Sequence, residues 1–260
     1  MTEQRYKYNF DDDQLVNLAK TFTSRHGDGT GDSEEDYLSC LKLVANCKTD
    51  QIYLDVGSGF GRIIDILQPN AKRIIGLEPD IERFKFCRDR YFDRENIQLF
   101  NLTTSDYSRA FPDQRFDVIV VSMVLQHVST TTCGQILRDV HELLAPNGVG
   151  IVATTNFFDE RFVYQLSTKP RTSAEFDRYA ENSSDQQWGI PVRMFSKGSF
   201  YREIERASLQ VITWNQCSYL RPEKLADFAR LYDLPADSLR DTGISQFAVV
   251  RRRSDPGNCP

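Results

Sequence analysis

The chain has 260 residues, 40% of them hydrophobic and 27% charged, with a formal net charge of -5. That length supports one large α/β domain with an adequate core, and the acidic balance excludes a global field that would draw the chain to phosphate backbones. No run of about 18 apolar residues is present to cross a membrane, and Met1-Thr2-Glu3-Gln4 does not open a signal peptide. The expected location is cytoplasmic. Cys40, Cys47, Cys87, Cys133, Cys217 and Cys259 form no C-x-x-C pair, so neither a disulfide framework nor a zinc site is expected.

In chain order, Tyr6, Tyr8 and Phe10 alternate with polar residues, and Asp11-Asp12-Asp13 ahead of Leu15, Val16 and Leu18 reads as the start of a helix. Arg25 to Gly31 is a loop by composition. Asp32 and Glu35 suit a capping box for a helix carrying Tyr37, Leu38, Leu41, Leu43 and Val44. Ile52 to Val56 is then a short apolar strand, and Ile63, Ile64, Ile66 and Leu67 recur at helical spacing behind it. Between them stands Gly57-Ser58-Gly59-Phe60-Gly61-Arg62. Alternate glycines admit positive φ and leave no Cβ between the backbone and a ligand.

A dinucleotide fingerprint needs glycine or alanine at its sixth position, where helix packs on strand. That position is Arg62, which is too large. The G-x-G-x-G run with Asp55 two residues ahead resembles the class I S-adenosylmethionine-dependent methyltransferases. The resemblance implies S-adenosyl-L-methionine as cofactor, with Asp55, Gly57, Ser58 and Gly59 in its cradle and Arg62 near its carboxylate; a surface arginine is the alternative for Arg62. It also implies that residues 1–50 form an N-terminal helical lid over the substrate, the alternative being a helix packed on the domain edge.

Arg73 to Leu77 makes a second buried strand that stops at Glu78-Pro79-Asp80. An acid in this position can accept both hydroxyls of an adenosine ribose, with a helix-start charge as the other reading. Ile97 to Phe100 is the third strand, and by the resemblance its exit contacts adenine through Leu102 and Thr103. Asp106 is the rival, because many members of that family carry an acid there. Phe116 to Val121 is the fourth strand, apolar on both faces. Ser122-Met123-Val124-Leu125-Gln126-His127-Val128 resembles the family's motif after that strand, beside the cofactor's methyl group. Ile136 to Leu144 is helical, Leu144-Ala145-Pro146-Asn147-Gly148 resembles the turn before the fifth strand, and Val149 to Ala153 is that strand. Thr154-Thr155-Asn156 is its polar exit.

Aromatic residues crowd the next segment, with Phe157, Phe158, Phe162, Tyr164, Phe176, Tyr179, Trp188, Phe195, Phe200 and Tyr201. The reading is an inserted substrate cap that encloses a pocket, against a dimer contact or an ordinary packed loop. Ser199 to Ala207 and Pro222 to Leu234 are helices, Leu209 to Trp214 starts the sixth strand and Gln246 to Arg251 is the seventh. Arg251-Arg252-Arg253 reads as a solvated strand end.

The fold expected is a Rossmann-like, doubly wound, seven-stranded, mainly parallel sheet with its last strand antiparallel. The N-terminal helical lid covers 1–50, the cofactor core 51–156, the cap insertion 157–198, the rest of the sheet 199–253 and a disordered tail 254–260. The chemistry expected is methyl transfer to oxygen or nitrogen of a small molecule, without a metal. His127 is the candidate proton acceptor and Asn156 a candidate to hold the acceptor group; a satisfied structural histidine and a turn cap are the alternatives, and His141 and His26 rank lower. The cofactor set is Asp55, Gly57, Ser58, Gly59, Arg62, Glu78, Pro79, Leu102, Thr103 and Ser122. Expected partners are a small-molecule methyl acceptor and a second copy of the chain in a homodimer, with neither nucleic acid nor membrane. Gly59-Phe60-Gly61-Arg62, His127 and Asn156 also resemble protein α-amino methyltransferases. A catalytically silent module that binds the cofactor for a partner is the remaining alternative.

Overall fold

The structure is a computed structural model that describes residues 32–33, 35–46, 50–166, 168–181, 190–220, 222–240 and 242–253. Most of the expected N-terminal lid, His26, Trp188 and the expected tail over 254–260 lie outside the described residues.

A two-residue strand, β1 (Asp32–Ser33), precedes helix α1 (Glu35–Asn46). Strands and helices then alternate: β2 (Gln51–Val56), α2 (Arg62–Leu67), β3 (Ala71–Leu77), α3 (Ile81–Arg90), β4 (Ile97–Phe100), α4 (Thr104–Ala110), β5 (Phe116–Ser122), α5 (Thr130–Leu143) and β6 (Leu144–Thr155). Successive residues of the central strands point into two different cores. Leu54, Ile75, Ile119 and Val121 pack with Ile136, Leu137 and Val140 of α5. Tyr53, Ile74, Val118 and Val120 pack on the other face with Ile63, Ile64 and Leu67 of α2 and with Tyr37 and Leu41 of α1. Burial on both faces is why these strands lack polar alternation.

The insert forms a separate three-stranded sheet. Strand β7 (Tyr164–Leu166) lies between β8 (Lys169–Pro170) and β9 (Pro191–Arg193), antiparallel to both, and α6 (Ser173–Glu181) packs against it. The chain returns through α7 (Lys197–Arg206), β10 (Leu209–Leu220), α8 (Pro222–Leu231) and β11 (Gly243–Arg252). The main sheet runs β1-β10-β11-β6-β5-β2-β3-β4. Neighbours from β6 to β4 pair in parallel, while β11 is antiparallel to both β6 and β10. This is the expected seven-stranded order, with β1 added at the edge of β10.

The structure completes the sixth strand and shifts several boundaries of the sequence reading: α5 starts at Thr130, α8 ends at Leu231 and β11 starts at Gly243. Strand β10 extends to Leu220 because it pairs with β11 along nearly its whole length. Strand β6 begins at Leu144, but its pairing with β5 jumps from Phe116–Leu144 to Val118–Val149, so the Pro-Asn-Gly segment loops out of the ladder. The order of strands reverses between β2 and β5, and in such sheets ligands bind outside the carboxyl ends of the strands at that point.

Candidate functional site

The glycine turn is fixed by backbone bonds before any side chain contributes. Past Val56, Gly57 and Ser58 both donate their N–H to the Leu77 carbonyl, at 2.8 and 2.9 Å, which folds the turn over the end of β3. Gly61 sits at φ 88, and a Cβ there would come within 2.5 Å of the Tyr91 ring. Gly59, at φ 53, is different: the nearest atom a Cβ on it would meet is the Gly57 carbonyl oxygen at 3.9 Å, so the apex of the turn is open to an approaching ligand.

Glu78 fastens this turn to the next strand. Its carboxylate accepts from the N–H of Gly59 at 2.8 Å and from that of Asp80 at 2.9 Å. Asp80 in turn caps α3 by accepting from Glu82 and Arg83. Burial raises the Glu78 carboxyl above its usual range, against the pull of Arg83 and the two backbone donors. Asp55, near the end of β2, is 1% exposed, and neither carboxylate oxygen has a hydrogen-bond partner. Burial, reinforced by the Glu78 charge and opposed by Arg62, pushes its pKa up to about 7.

A cavity of about 340 Å³ opens at the carboxyl ends of β2 to β5. Six of the sequence-selected residues line it: Gly57, Glu78, Pro79, Leu102, Thr103 and His127. Asp106, the rival for the adenine exit, shares the same wall. Thr103 caps α4 and donates its hydroxyl to Asp106 at 2.7 Å; that bond and Arg109 hold the Asp106 carboxyl below its usual range. Asp55, Ser58, Gly59, Arg62, Ser122 and Asn156 do not line the cavity. The Asn156 amide donates to the Gly243 carbonyl at 2.7 Å, and its backbone N–H bonds Ile244 at 2.9 Å, so this residue pins β6 to β11.

The insert's aromatics pack elsewhere as well. Phe158 and Phe162 meet Tyr232 edge-on, Phe158 also meets Phe228, and Tyr164 packs on Phe176. None of the described aromatics from 157 to 201 lines the cavity. Met123 and Val124, from the stretch expected beside the methyl group, line it too, while sequence reasoning missed Arg83, Arg109 and Gln135, which also do. Met123 is a non-glycine residue at φ 55, a strained conformation of the kind that clusters at functional sites; nothing in its local sequence announces this.

His127 closes a short 3-10 turn, Leu125–His127. Its Nδ1 lies 2.8 Å from the Pro191 carbonyl on β9. Its Nε2 lies 3.2 Å from Gln126 Nε2. A carbonyl only accepts, so Nδ1 carries the proton. Burial lowers the imidazole pKa to about 4, with the Pro191 carbonyl pulling the other way and the Arg83 charge adding to the drop. The ring is therefore neutral near pH 7, with its proton on the insert side.

Among the described residues no cluster of histidine, cysteine and acidic side chains could hold a metal ion, and no helix is long and apolar enough to cross a membrane. A family model described as a methyltransferase domain matches residues 54–152. A ubiquinone biosynthesis O-methyltransferase of Rhodopseudomonas palustris is 24% identical over 57% of this chain and 62% of its own length. The chain thus spans less than two thirds of that relative. A solved S-adenosylmethionine-dependent methyltransferase from Clostridium acetobutylicum superposes with a TM-score of 0.62 at 11% identity, over 92% of this chain and 99% of that one. The N-methyltransferase NodS of Bradyrhizobium japonicum, solved with S-adenosyl-L-homocysteine, has a TM-score of 0.55 at 13% identity, over 92% and 99%. Glycine turn and strand order agree with the methyltransferase domain that residues 54–152 match.

Proposed function

We propose that this protein transfers a methyl group from S-adenosylmethionine to a hydroxyl or nitrogen of a small molecule. The observation that carries the reading is the cavity that brings Gly57, Glu78 and His127 together at the switch point of the sheet. Five of the ten cofactor candidates, Gly57, Glu78, Pro79, Leu102 and Thr103, line that cavity, which supports the reading. Asp55 is a buried acid lacking a hydrogen-bond partner, which an ammonium group would ionise and satisfy. Glu78 would accept the ribose hydroxyls, Arg62 would meet the carboxylate, and Gly57, Ser58 and Gly59 would shape the backbone cradle. Pro79, Leu102 and Thr103 would bound the base, and Ser122 would stand near the methyl end.

When bound, the cofactor supplies an electrophilic methyl carbon whose bond to sulfur breaks with its electron pair left on sulfur as the acceptor's lone pair bonds to carbon. The protein's work is to align the acceptor, exclude water and take the acceptor's proton. His127 is neutral and lines the cavity, and its lone pair is on Nε2, so it can take that proton once the Gln126 amide, 3.2 Å from Nε2, turns aside. A weak base suits a hydroxyl acceptor, whose proton becomes strongly acidic as the methyl arrives. It would not deprotonate an alkylammonium. Oxygen is therefore the favoured target, in the same sense as the name of the Rhodopseudomonas relative. Asn156 enters this scheme as a support for the end of β6, with the acceptor-holding role open to test by Asn156→Ala.

The test is methyl transfer from labelled S-adenosylmethionine to a panel of 3,4-dihydroxybenzoate, a simple phenol, an alkylamine and a short peptide with a free α-amine. Transfer to the hydroxyl compounds supports the reading. Transfer to the peptide alone favours the α-amino alternative, and cofactor binding with no transfer to any class favours the silent module.

A further inference from the structure

Gln126 lies between His127 and Thr154 in a place closed to solvent, at 1% exposure against 0% for Thr154. The Thr154 hydroxyl donates to Gln126 Oε1 at 3.2 Å, and Gln126 Nε2 faces His127 Nε2 at 3.2 Å. Because the Pro191 carbonyl at 2.8 Å obliges Nδ1 to carry the proton, the neutral ring has only a lone pair at Nε2. Gln126 must then present its N–H there and its oxygen to Thr154. These three contacts settle both the histidine tautomer and the orientation of the amide.

The arrangement also has a second satisfied state. Once Nε2 is protonated, a donor facing it is repulsive; a half-turn of the carboxamide brings Oε1 to Nε2–H and the amide N–H to Thr154, whose hydroxyl accepts as readily as it donates. We propose that Gln126 is the positioning residue for His127: its carboxamide donates to Nε2 while the ring is neutral and, turned over, accepts from Nε2–H once the ring has taken a proton. The insert contributes the fixed end of this relay through the Pro191 carbonyl. Among neighbouring charges, the Arg83 guanidinium on α3 acts on the ring and opposes its protonation, while β9 presents the Pro191 carbonyl. This inference rests on His127 being the proton acceptor proposed above.

The test is nitrogen-15 NMR of histidine-labelled full chain across pH, on the wild type and on Gln126→Glu. In the wild type, Nδ1 should be protonated and Nε2 bare until the pH falls well below 6. A carboxylate at 126 can only accept, so Gln126→Glu should stabilise the imidazolium and raise the His127 titration by about 1–3 pH units. A proton on Nε2 in the neutral wild type, or an unmoved titration in a folded Gln126→Glu, overturns the inference. The wild-type tautomer decides the first point even if the variant does not fold. Methylation of 3,4-dihydroxybenzoate is then followed against pH. An acid limb that rises with the NMR titration supports both readings, while NMR as expected with an unmoved limb supports the hold of Gln126 on the ring and overturns His127 as the acceptor.

Discussion

At the glycine turn, Asp55 is buried with neither oxygen hydrogen-bonded and Glu78 is buried on two backbone donors, whereas in the insert Phe162 and Phe176 are buried against other rings. The first region keeps an acid in a state that folding alone leaves unfavourable; the rings of the second are accommodated by packing, in part on Phe228 and Tyr232 outside the insert. An acid with both oxygens unpartnered marks the site, and packed rings mark how the insert is attached. The distinction explains why a segment rich in phenylalanine and tyrosine contributes none of its described rings to the cavity wall.

The comparison is sharpened most by pH. The folded pKa of Asp55, about 7, lies above the ordinary value near 4, so the folded protein holds this proton more tightly than the unfolded chain does. Its contribution is full below about pH 4 and is lost as pH rises through 7, a decline on the order of 4 kcal/mol in the ligand-free protein. Denaturant titrations of wild type and Asp55→Asn should differ by that slope; parallel curves between pH 4 and 7 would contradict the unpartnered acid. Next in size, Phe162→Ala should lose about 3 kcal/mol of stability while leaving calorimetric affinity for S-adenosylhomocysteine unchanged. A matching loss of affinity would break the division between attachment and site.

Gly61→Ala follows, at about 2–3 kcal/mol, because the new Cβ combines left-handed strain with a collision against Tyr91. Its readout is the denaturation midpoint. The smallest effect is Glu78→Gln, which places an amide donor opposite one of the two backbone N–H groups and removes the charge available to a ribose. A weakening of roughly 2 kcal/mol, about 30-fold in calorimetric affinity for S-adenosylhomocysteine, is expected. Undiminished affinity would remove Glu78 from the cofactor set.

The parts of this division that sequence revealed are the local ones. Gly57 to Arg62 and Glu78 act through backbone within a few residues of a strand end, so their spacing carries the geometry. The alternate packing of Leu54 and Tyr53 into two cores explains why uninterrupted apolar runs correctly signalled a covered parallel sheet. Arg83 and Gln135 reach the cavity only because α3 and α5 dock on that sheet, and the Asn156 amide finds its partner at Gly243, far along the chain. No local pattern encodes such meetings. For the aromatic insert, composition revealed that something large is buried there, but not against what.

The position of β11 bears on how the protein is made. This strand lies between β6 and β10 and is antiparallel to both, so β10 joins the main sheet only through a segment synthesised after it. As the chain leaves the ribosome, β2 to β6 can assemble while β10, at full length, has only the short β1 to pair with. Until Gly243 to Arg252 emerges, β10 exposes a ladder of open backbone groups and its apolar face, a window in which pairing with another nascent chain competes with folding. Slow translation through residues 221 to 242 would widen that window, and a chaperone bound there would protect the chain during it.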